Sequence, residues 1–334
     1  MDAELQRAIR LKEKLEEEWK GKRNVNAVDV GLKYVAGKMT DQIAIRVYVD
    51  QKANVPPQDA IPISVEGIPT DVIEKQEKFV LQTLERATAE EDTSVTAAAG
   101  EIQSPLSGGM AIGPCRSIRD RRIWGTLGAF VQKEDGKTYA LSCFHVLCCD
   151  SEWKRGDQLT QLSREGVCTE GALVGTLADA CLRGNFGLIE QDVDGALAEI
   201  TSKEVSWEIP GIGRLTGPAD TKPGTHVRKV GSATGLTYGI IEGLNKTFTV
   251  DFYDGIGDVT FTRSIRIVPD PRHNAKFSAK GDSGAVIVNE KNQVVGLLFA
   301  GTDDESVTIA NNIAEVMQSL RITGFGGGGD GGAH

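Results

Sequence analysis

The sequence predicts a mainly β protein that begins with a small α+β domain. Residues 25–34 and 42–49 gather β-forming side chains on either side of a turn at Gly37. Much later, an apolar run at residues 294–298 follows a glycine-containing turn at residues 281–284. Both patterns are typical of strands joined by tight turns, and they recur along most of the chain.

Residues 1–85 form the predicted α+β domain. Residues 2–20 place apolar side chains at helical spacing among Lys and Glu, which indicates an amphipathic helix that ends at Gly21. We expect its apolar stripe to pack against the following strands, and a partner-binding helix is the alternative. Residues 61–72 indicate a further strand and its exit, and residues 79–86 are interpreted as helical.

The predicted linker covers residues 86–102. Its Thr, Ala, Glu and Gly content leaves little to bury, so it is flexible and open to proteolysis. The N-terminal domain is expected to be a permanent accessory or assembly domain, and a cleaved pro-domain is the alternative.

Charge and hydropathy exclude several classes of partner. The chain has 334 residues, 40% of them hydrophobic, and a formal net charge of −10. Such a field does not attract nucleic acid or an anionic membrane. No run of about 18 apolar residues is present, and residues 1–20 lack the apolar centre of a signal peptide. We therefore expect a cytoplasmic protein with no nucleic-acid and no membrane partner.

Six cysteines are expected to be reduced thiols in a reducing compartment. They are Cys115, Cys143, Cys148, Cys149, Cys168 and Cys181. A zinc site is the alternative interpretation of four clustered residues, which are His145, Cys148, Cys149 and Asp150. Vicinal cysteines are poorly disposed to ligate one ion and no Cys-x-x-Cys pair supports them, so no metal and no cofactor is expected.

The most informative motif surrounds Ser283. It reads Gly-Asp-Ser-Gly at residues 281–284, and the glycines on both sides permit turns that expose backbone N–H groups. A serine hydroxyl needs a base to take its proton and donors to hold the resulting oxyanion. An ordinary Asp-Ser-Gly turn between two strands is the competing interpretation.

Two further residues complete a possible triad. His145 lies in Ser-Cys-Phe-His-Val, and Asp194 begins an acid-then-apolar stretch typical of the start of a buried strand. A carboxylate there can orient the imidazole and stabilise its protonated form. Asp192 is the rival for this role, and Asp194 is preferred because the apolar alternation starts beside it.

These three residues, in the order His, Asp, Ser, resemble the chymotrypsin-like serine proteases. Blocks at residues 107–112, 125–130 and 224–240 extend the resemblance to roughly residues 103–322, and the last block is similar to the second-barrel hairpin of streptogrisin-type enzymes. The chain most resembles trypsin-like proteins of the plant NARROW LEAF type and their bacterial relatives.

The resemblance implies a chymotrypsin-like double antiparallel β-barrel. The first barrel would cover residues 103–205, with His145 and Asp194. The second would cover residues 206–322, with Ser283 and a C-terminal helix. Residues 323–334 would be a flexible glycine-rich tail.

The resemblance also implies roles for individual residues. Ser283 would be the nucleophile, His145 the base and Asp194 its orienting acid, while the N–H groups of Gly281 and Ser283 would form the oxyanion hole. Asp282 would bond either a new amino terminus or an internal arginine.

By the same resemblance, a specificity pocket would be built from residues near the serine and on a later strand. These are Phe277, Phe299, Ala300 and Gly301. The base of the pocket has no Asp, so cleavage after Arg or Lys is not expected. We expect a narrow or apolar pocket instead.

The predicted function is that of a trypsin-like serine endopeptidase acting on intracellular proteins or peptides. Two alternatives remain open: a catalytically silent scaffold that binds proteins, and an assembly protein whose N-terminal domain builds a homo-oligomer and whose protease part is latent.

Overall fold

The structure is a computed structural model. It describes residues 3–22, 24–52, 55–57, 59–75, 77–87, 102–161, 168–182, 193–201, 204–252 and 256–326.

The N-terminal section contains one long helix and six strands. They are α1 (Ala3–Lys20), β1 (Val25–Val35), β2 (Lys38–Val49), β3 (Ser64–Val65), β4 (Ile68–Glu74), β5 (Phe79–Leu81) and β6 (Leu84–Ala87). Helix α1 ends where the Gly21 N–H donates to the Glu17 carbonyl, as expected from the sequence. Strands β1 and β2 form the expected hairpin, with Gly37 at a φ of +76° in its turn.

The next section supplies most of a nine-stranded sheet. Its elements are β7 (Ala111–Pro114), β8 (Arg121–Thr126), β9 (Ala129–Gln132), β10 (Thr138–Ser142), α2 (Phe144–Leu147), β11 (Gln158–Gln161), a 3-10 turn (Glu170–Ala172), β12 (Leu173–Cys181) and β13 (Gly195–Ile200). The strand order is β22-β9-β10-β13-β12-β11-β7-β8-β6, where β22 is Gly324–Phe325. Each pair of neighbouring strands in this order is antiparallel.

The remaining elements form the second sheet and the last helix. They are β14 (Glu208–Ile209), β15 (Gly213–Arg214), β16 (His226–Gly231), β17 (Gly235–Phe252), β18 (Gly257–Pro269), β19 (Val286–Asn289), β20 (Val294–Thr302), β21 (Thr308–Asn312) and α3 (Ile313–Leu320). Strands β16, β19, β20, β21, β18 and β17 pair in that order, and β16 also pairs with β17. Six antiparallel strands thus close into a ring.

The mainly β, antiparallel fold class expected from the sequence is confirmed. The N-terminal strands continue the second sheet, because β1 pairs with β17 at Val30↔Leu244 and Gly31↔Gly243. The apolar side of α1 shares one buried cluster with residues of the ring, such as Leu5 with Val227 and Ile241. The predicted boundaries between domains stay a prediction.

One expectation for the N-terminal section is wrong. Residues 79–86 are not helical, since β5 pairs with β20 and β6 pairs with β8. We call residues 79–87 the bridging segment, because it adds one strand to each of the two large sheets. Its apolar run is too short to distinguish strand from helix by periodicity, and its strand partners lie far away in the sequence.

The C-terminal helix lies where the sequence predicts it. Asn312 caps α3, with its side chain accepting the Ala314 N–H, and Ile313, Val316 and Leu320 are buried. The spacing of Ile309 from these three residues also fits one helical face, but Ile309 lies on β21. The linker at 88–101 and the tail at 327–334 lie outside the described residues. Within the part of the chain that is described, no helix has the length and apolar character to cross a membrane.

Candidate active site

His145 and Asp194 form a buried pair at the edge of the first sheet. Strands β10 and β13 are antiparallel, with Ser142 opposite Ala196, so the end of β10 lies beside the start of β13. His145 is in α2 just after β10, and Asp194 directly precedes β13. The Nδ1 atom of His145 and Oδ2 of Asp194 are hydrogen-bonded, the His145 N–H donates to Oδ1 at 3.2 Å, and both residues are fully buried.

Asn311, on β21 of the second sheet, holds the backbone of Asp194. Its Oδ1 accepts the Asp194 N–H at 3.1 Å, and its Nδ2 donates to the Asp194 carbonyl at 3.0 Å. The same amide group is 3.4 Å from the Leu297 carbonyl. The carboxylate that orients His145 is therefore positioned by the opposite sheet.

Ser283 lies in a tight loop before β19. Gly281 and Gly284 have φ values of +106° and +96°, which residues other than glycine adopt only with strain. Ser283 is fully buried, and its Oγ donates to the Phe299 carbonyl at 2.9 Å. The Asp-Ser-Gly sequence is thus a turn before β19, as the competing interpretation holds, and its serine is buried beside β20.

Close contacts connect the loop of His145 to the loop of Ser283. A Cβ at Gly125 would lie 2.4 Å from the Val146 side chain and 2.6 Å from the Ser283 carbonyl oxygen. The thiol of Cys143 donates to the Leu298 carbonyl at 3.1 Å. Only glycine at position 125 allows both loops to approach this closely.

The bridging segment presents a peptide carbonyl to the serine loop. The N–H groups of Gly281 and Ser283 both donate to the Gln82 carbonyl oxygen, at 2.7 and 3.1 Å. These are the two groups that the family resemblance assigns to an oxyanion hole. Two backbone donors that converge on one carbonyl oxygen are the arrangement that stabilises a developing oxyanion.

Asp282 is held by a lysine, and neither of the two partners expected for it is found there. The Lys229 Nζ lies 3.0 Å from Asp282 Oδ2, and both side chains are fully buried. Burial lowers the pKa of Lys229, while the Asp282 carboxylate opposes that shift. Asp282 also accepts the N–H groups of Ala233, Thr234 and Ala279. An internal cation therefore orders this loop in the intact chain.

The four residues predicted for the specificity pocket lie in two places. Phe299, Ala300 and Gly301 are on β20, where Ala300 and Gly301 pair with Leu81 and Val80 of the bridging segment. Phe277 lies in the other apolar cluster, against Gly239 and below the Lys229 ammonium. Its carbonyl accepts the Thr237 hydroxyl.

Cys143, His145 and Asp194 are the residues best placed to ligate a metal ion. Each has a potential ligand atom, and these atoms lie within 4.8 Å of one another. However, His145 and Asp194 bond each other, and burial together with the Asp194 charge raises the pKa of the Cys143 thiol. Because metals bind the thiolate, this chemistry favours the acid–base pair.

The expectation of six reduced cysteines is wrong for two of them. Cys115 and Cys168 form a disulfide, while Cys143, Cys148, Cys149 and Cys181 are free and buried. The two cysteines are 53 positions apart, and their spacing in the sequence does not reveal that they pair.

Comparisons with known proteins give fold resemblances only. No protein-family model matches the chain, and no curated protein matches it. Among solved structures, Thermobifida fusca Protease A is 19% identical, with a TM-score of 0.46 over 66% of this chain and 97% of that one. Cellulomonas bogoriensis chymotrypsin is 20% identical, with a TM-score of 0.43 over 65% and 96%. The Rv3671c protease of M. tuberculosis is 17% identical, with a TM-score of 0.38 over 70% and 89%.

The three named structures are described as proteases or chymotrypsin, and a further match, a glutamic acid specific serine protease, is 19% identical with a TM-score of 0.45. The narrower resemblance to NARROW LEAF-type proteins stays a prediction. Asp192, the rival of Asp194, lies outside the described residues.

Three residues of the site are not apparent from the sequence. Asn311 lies on a strand without a motif, Lys229 lies in the block at residues 224–240 without a role of its own, and Gln82 lies in a segment interpreted as helical. Lys229 carries the one usable signal, since it alternates along β16 with Val227 and Gly231, and all three residues are buried. A lysine at a core position needs a buried anion.

Proposed function

We propose that this protein is a serine endopeptidase that cleaves peptide bonds by acyl transfer. The observation that carries the proposal is the convergence of the Gly281 and Ser283 N–H groups on one peptide carbonyl, that of Gln82. The residue that would attack, Ser283, supplies one of these donors. The buried His145–Asp194 pair lies across Gly125 from the same loop.

Each residue has a separate task in the proposed reaction. Ser283 Oγ attacks the carbonyl carbon while His145 takes its proton and then delivers it to the leaving amine. Asp194 fixes the imidazole tautomer through Nδ1 and stabilises the imidazolium. The Gly281 and Ser283 N–H groups hold the oxyanion in a site from which water is excluded.

The substrates are proposed to be proteins or peptides bound as an extended strand. Strand β20 offers backbone groups at residues 299–301 that already pair with an extended segment. Such an edge binds main chain of any sequence, so the side-chain pocket sets the specificity. Cleavage after Arg or Lys is not part of the proposal.

A latent scaffold is the second candidate, and one contact favours it. The Ser283 Oγ–H donates to the Phe299 carbonyl, and catalysis requires that this proton pass to His145. The bridging segment also fills the place where an external substrate would bind. A protein that stayed in this state would bind partners without turnover.

Labelling with a fluorophosphonate probe tests the proposal. We expect Ser283→Ala to abolish labelling and Ser151→Ala, at an exposed serine, to leave it unchanged. A Gln82→Arg chain should label faster, because the longer, charged side chain does not fit beside Gly301 and the segment leaves the cleft. Equal labelling of the Gln82→Arg chain with and without Ser283 would refute the proposed activity.

A cytoplasmic location and a homo-oligomer built by the N-terminal domain also remain proposals. The Cys115–Cys168 disulfide favours an oxidising compartment, since such bonds are rare in the cytoplasm. Thiol alkylation at the moment of cell lysis, followed by mass spectrometry, distinguishes the two compartments. The mass measured by light scattering tests the oligomer.

A further inference from the structure

We infer that the bridging segment is the protein's own substrate and that the protein cuts its chain between Gln82 and Thr83. The inference rests on the proposed function and adds to it the first substrate, the scissile bond and the side chain selected. Three observations support the inference: the register of the segment against β20 and β8, its backbone hydrogen bonds, and the surroundings of the Gln82 side chain.

The residues before the proposed cut bind as an antiparallel strand. Phe79, Val80 and Leu81 pair with Thr302, Gly301 and Ala300 of β20. The strand continues with the Gln82 N–H, which donates to the Phe299 carbonyl at 3.3 Å. Four consecutive residues are thereby fixed on the non-leaving side of the bond.

Among the described backbone hydrogen bonds, the Gln82 carbonyl is the only group of the bridging segment that accepts from the two N–H groups of the serine loop. It accepts from Gly281 and Ser283, while the Phe299 carbonyl accepts both the Gln82 N–H and the Ser283 Oγ–H. Residue 82 is thus bonded on both of its backbone groups, and its carbonyl lies next to the nucleophile.

The residues after the proposed cut bind to the other sheet. Strand β6 pairs with β8, with Leu84 opposite Trp124 and Glu85 opposite Ile123. The chain therefore passes from the second sheet to the first within Gln82, Thr83 and Leu84. Both sides of the Gln82–Thr83 bond are held in extended conformation, which is how a protease presents a bond for attack.

The Gln82 side chain occupies a pocket at β20. It is 1% exposed, and a Cβ at Gly301 would lie 2.0 Å from its Nε2. Thr308 pairs directly with Gly301, so their Cβ positions share one face of the sheet, and the Thr308 hydroxyl is hydrogen-bonded to that of Ser278. The Thr308 hydroxyl makes this face polar and uncharged, which suits a neutral amide better than an apolar, Lys or Arg side chain.

The upstream end of the segment is anchored by buried ion pairs. The Glu77 carboxylate lies 2.7 Å from Arg266 and 3.1 Å from Lys246, which are on β18 and β17. The helix α1 and strand β1 add an apolar cluster and a strand pairing to the same sheet. The N-terminal fragment would therefore stay bound after the cut.

The proposed reaction is balanced with one water molecule. Ser283 Oγ forms a bond to the Gln82 carbonyl carbon and passes its proton to His145, and the Gln82–Thr83 C–N bond breaks as that proton moves to the Thr83 nitrogen. Water then attacks the acyl carbon, gives a proton to His145, and displaces Ser283 Oγ, which recovers the proton. The products are a carboxyl group at residue 82 and an amino group at residue 83.

Intact-mass measurement of the purified full-length chain tests the cut. We expect two fragments, residues 1–82 and 83–334, that co-elute in native size-exclusion chromatography. The Ser283→Ala and Gln82→Arg chains should remain whole, while Gln42→Arg, at an exposed strand residue, should be cut like the parent chain. Mixing parent protein with the Ser283→Ala chain should leave the latter whole, because its own segment is buried.

A second assay separates failure of this inference from failure of the proposed function. A peptide of the sequence Phe-Val-Leu-Gln-Thr-Leu is incubated with the folded Gln82→Arg chain, with thermal melting as the control for folding. Cleavage of the peptide after Gln supports both proposals. Cleavage of the peptide without any cut in the parent chain would mean that the segment is an uncut plug and overturns the inference alone.

Three other results would also overturn self-cleavage. These are a cut in the Ser283→Ala chain, a cut at another bond such as one within residues 88–101, and a parent chain whose cut accelerates with protein concentration. Absence of labelling and of peptide cleavage in every variant would remove the proposed function and the inference with it.

Discussion

The Gly281 nitrogen lies 2.7 Å from the carbonyl oxygen of Gln82, which accepts its N–H. Residue 281 belongs to the loop of the candidate nucleophile, and residue 82 belongs to a segment 199 positions earlier in the chain. Gly281 has a φ of +106°, a backbone conformation that residues with a Cβ adopt only with strain. The direction of its N–H group depends on this conformation. The candidate oxyanion hole is therefore both formed and occupied in the intact chain.

In the Gln82→Arg chain, Gly281→Ala should lower turnover of the Phe-Val-Leu-Gln-Thr-Leu peptide by about 10² to 10³-fold, the effect of losing one oxyanion donor. The new Cβ would lie 3.0 Å from the Ala233 Cβ, at a φ that strains alanine. Gly136→Ala is the matched control, since Gly136 has a φ of +72° and open space around it. Equal losses of kcat in both variants would show that strain alone, and not the donor, matters.

Asp194→Asn should lower kcat by about 10⁴-fold with little change in KM. The amide oxygen keeps the His145 N–H, so the N–H₂ group donates to His145 Nδ1 and stabilises the tautomer protonated at Nε2, which cannot accept the serine proton. Steady-state kinetics on the same peptide measure the effect. Asp192→Asn is the control for the rival carboxylate and should retain activity. A larger loss in Asp192→Asn than in Asp194→Asn would reassign the triad.

Lys229→Met should destabilise the fold by about 3–5 kcal/mol, because it leaves the buried Asp282 carboxylate without its cation. Urea unfolding gives the value, and Lys280→Met, at an exposed position, is the control. Adding Asp282→Asn removes the unpaired charge, so the double variant should lose less than the sum of the two single losses. Additive losses would contradict a direct ion pair.

Glu77→Gln should weaken the anchor of the bridging segment in a pH-dependent way. Burial alone would raise the pKa of Glu77, but Arg266, Lys246 and Lys75 outweigh it and lower the pKa from 4.5 to about 2. A depressed carboxylate pKa stabilises the folded state above pH 4.5, and this contribution is lost as the pH falls towards 2.

We therefore expect Glu77→Gln to cost about 3 kcal/mol at pH 7, and this difference should shrink between pH 4.5 and 3. Thermal unfolding across this range measures it, beside Glu18→Gln, whose side chain is 67% exposed. A difference that stays constant down to pH 3 would exclude a carboxylate effect.

Loss of the Cys115–Cys168 disulfide should cost about 4 kcal/mol, the value for a closed loop of 53 residues in the chain-entropy model. The Cys115→Ser, Cys168→Ser double variant and the parent chain with reductant should unfold alike. If the reductant shifts the double variant as well, another thiol reaction is responsible.

Local patterns were sufficient for the elements near the candidate triad. The Gly-Asp-Ser-Gly sequence places Ser283 in a turn, and the acid-then-apolar stretch places Asp194 before a strand. The hairpin at residues 25–49 also follows from alternation and a glycine turn. In each case the information lies within a dozen neighbouring residues, which is the range over which periodicity and turn chemistry act.

The bridging segment shows why the rest could not be predicted. Its strands are created by partners on β20 and β8, more than 200 and about 40 positions away, and its apolar run fits a helix equally well. The Lys229–Asp282 pair and the Asn311 contact are long-range in the same sense. Such interactions depend on sheet topology, which one sequence does not specify.

The contact between Gln82 and Gly301 means that these two positions, which are distant in the sequence, cannot evolve independently. Any side chain at residue 301 would enter the space of the Gln82 amide, since its Cβ alone would lie 2.0 Å from Nε2. Related chains that carry a larger residue at 301 must therefore carry a smaller one at 82, or give up the fit between segment and pocket. Correlated substitution of residues 82 and 301 among related chains would indicate that the segment and its pocket evolved together.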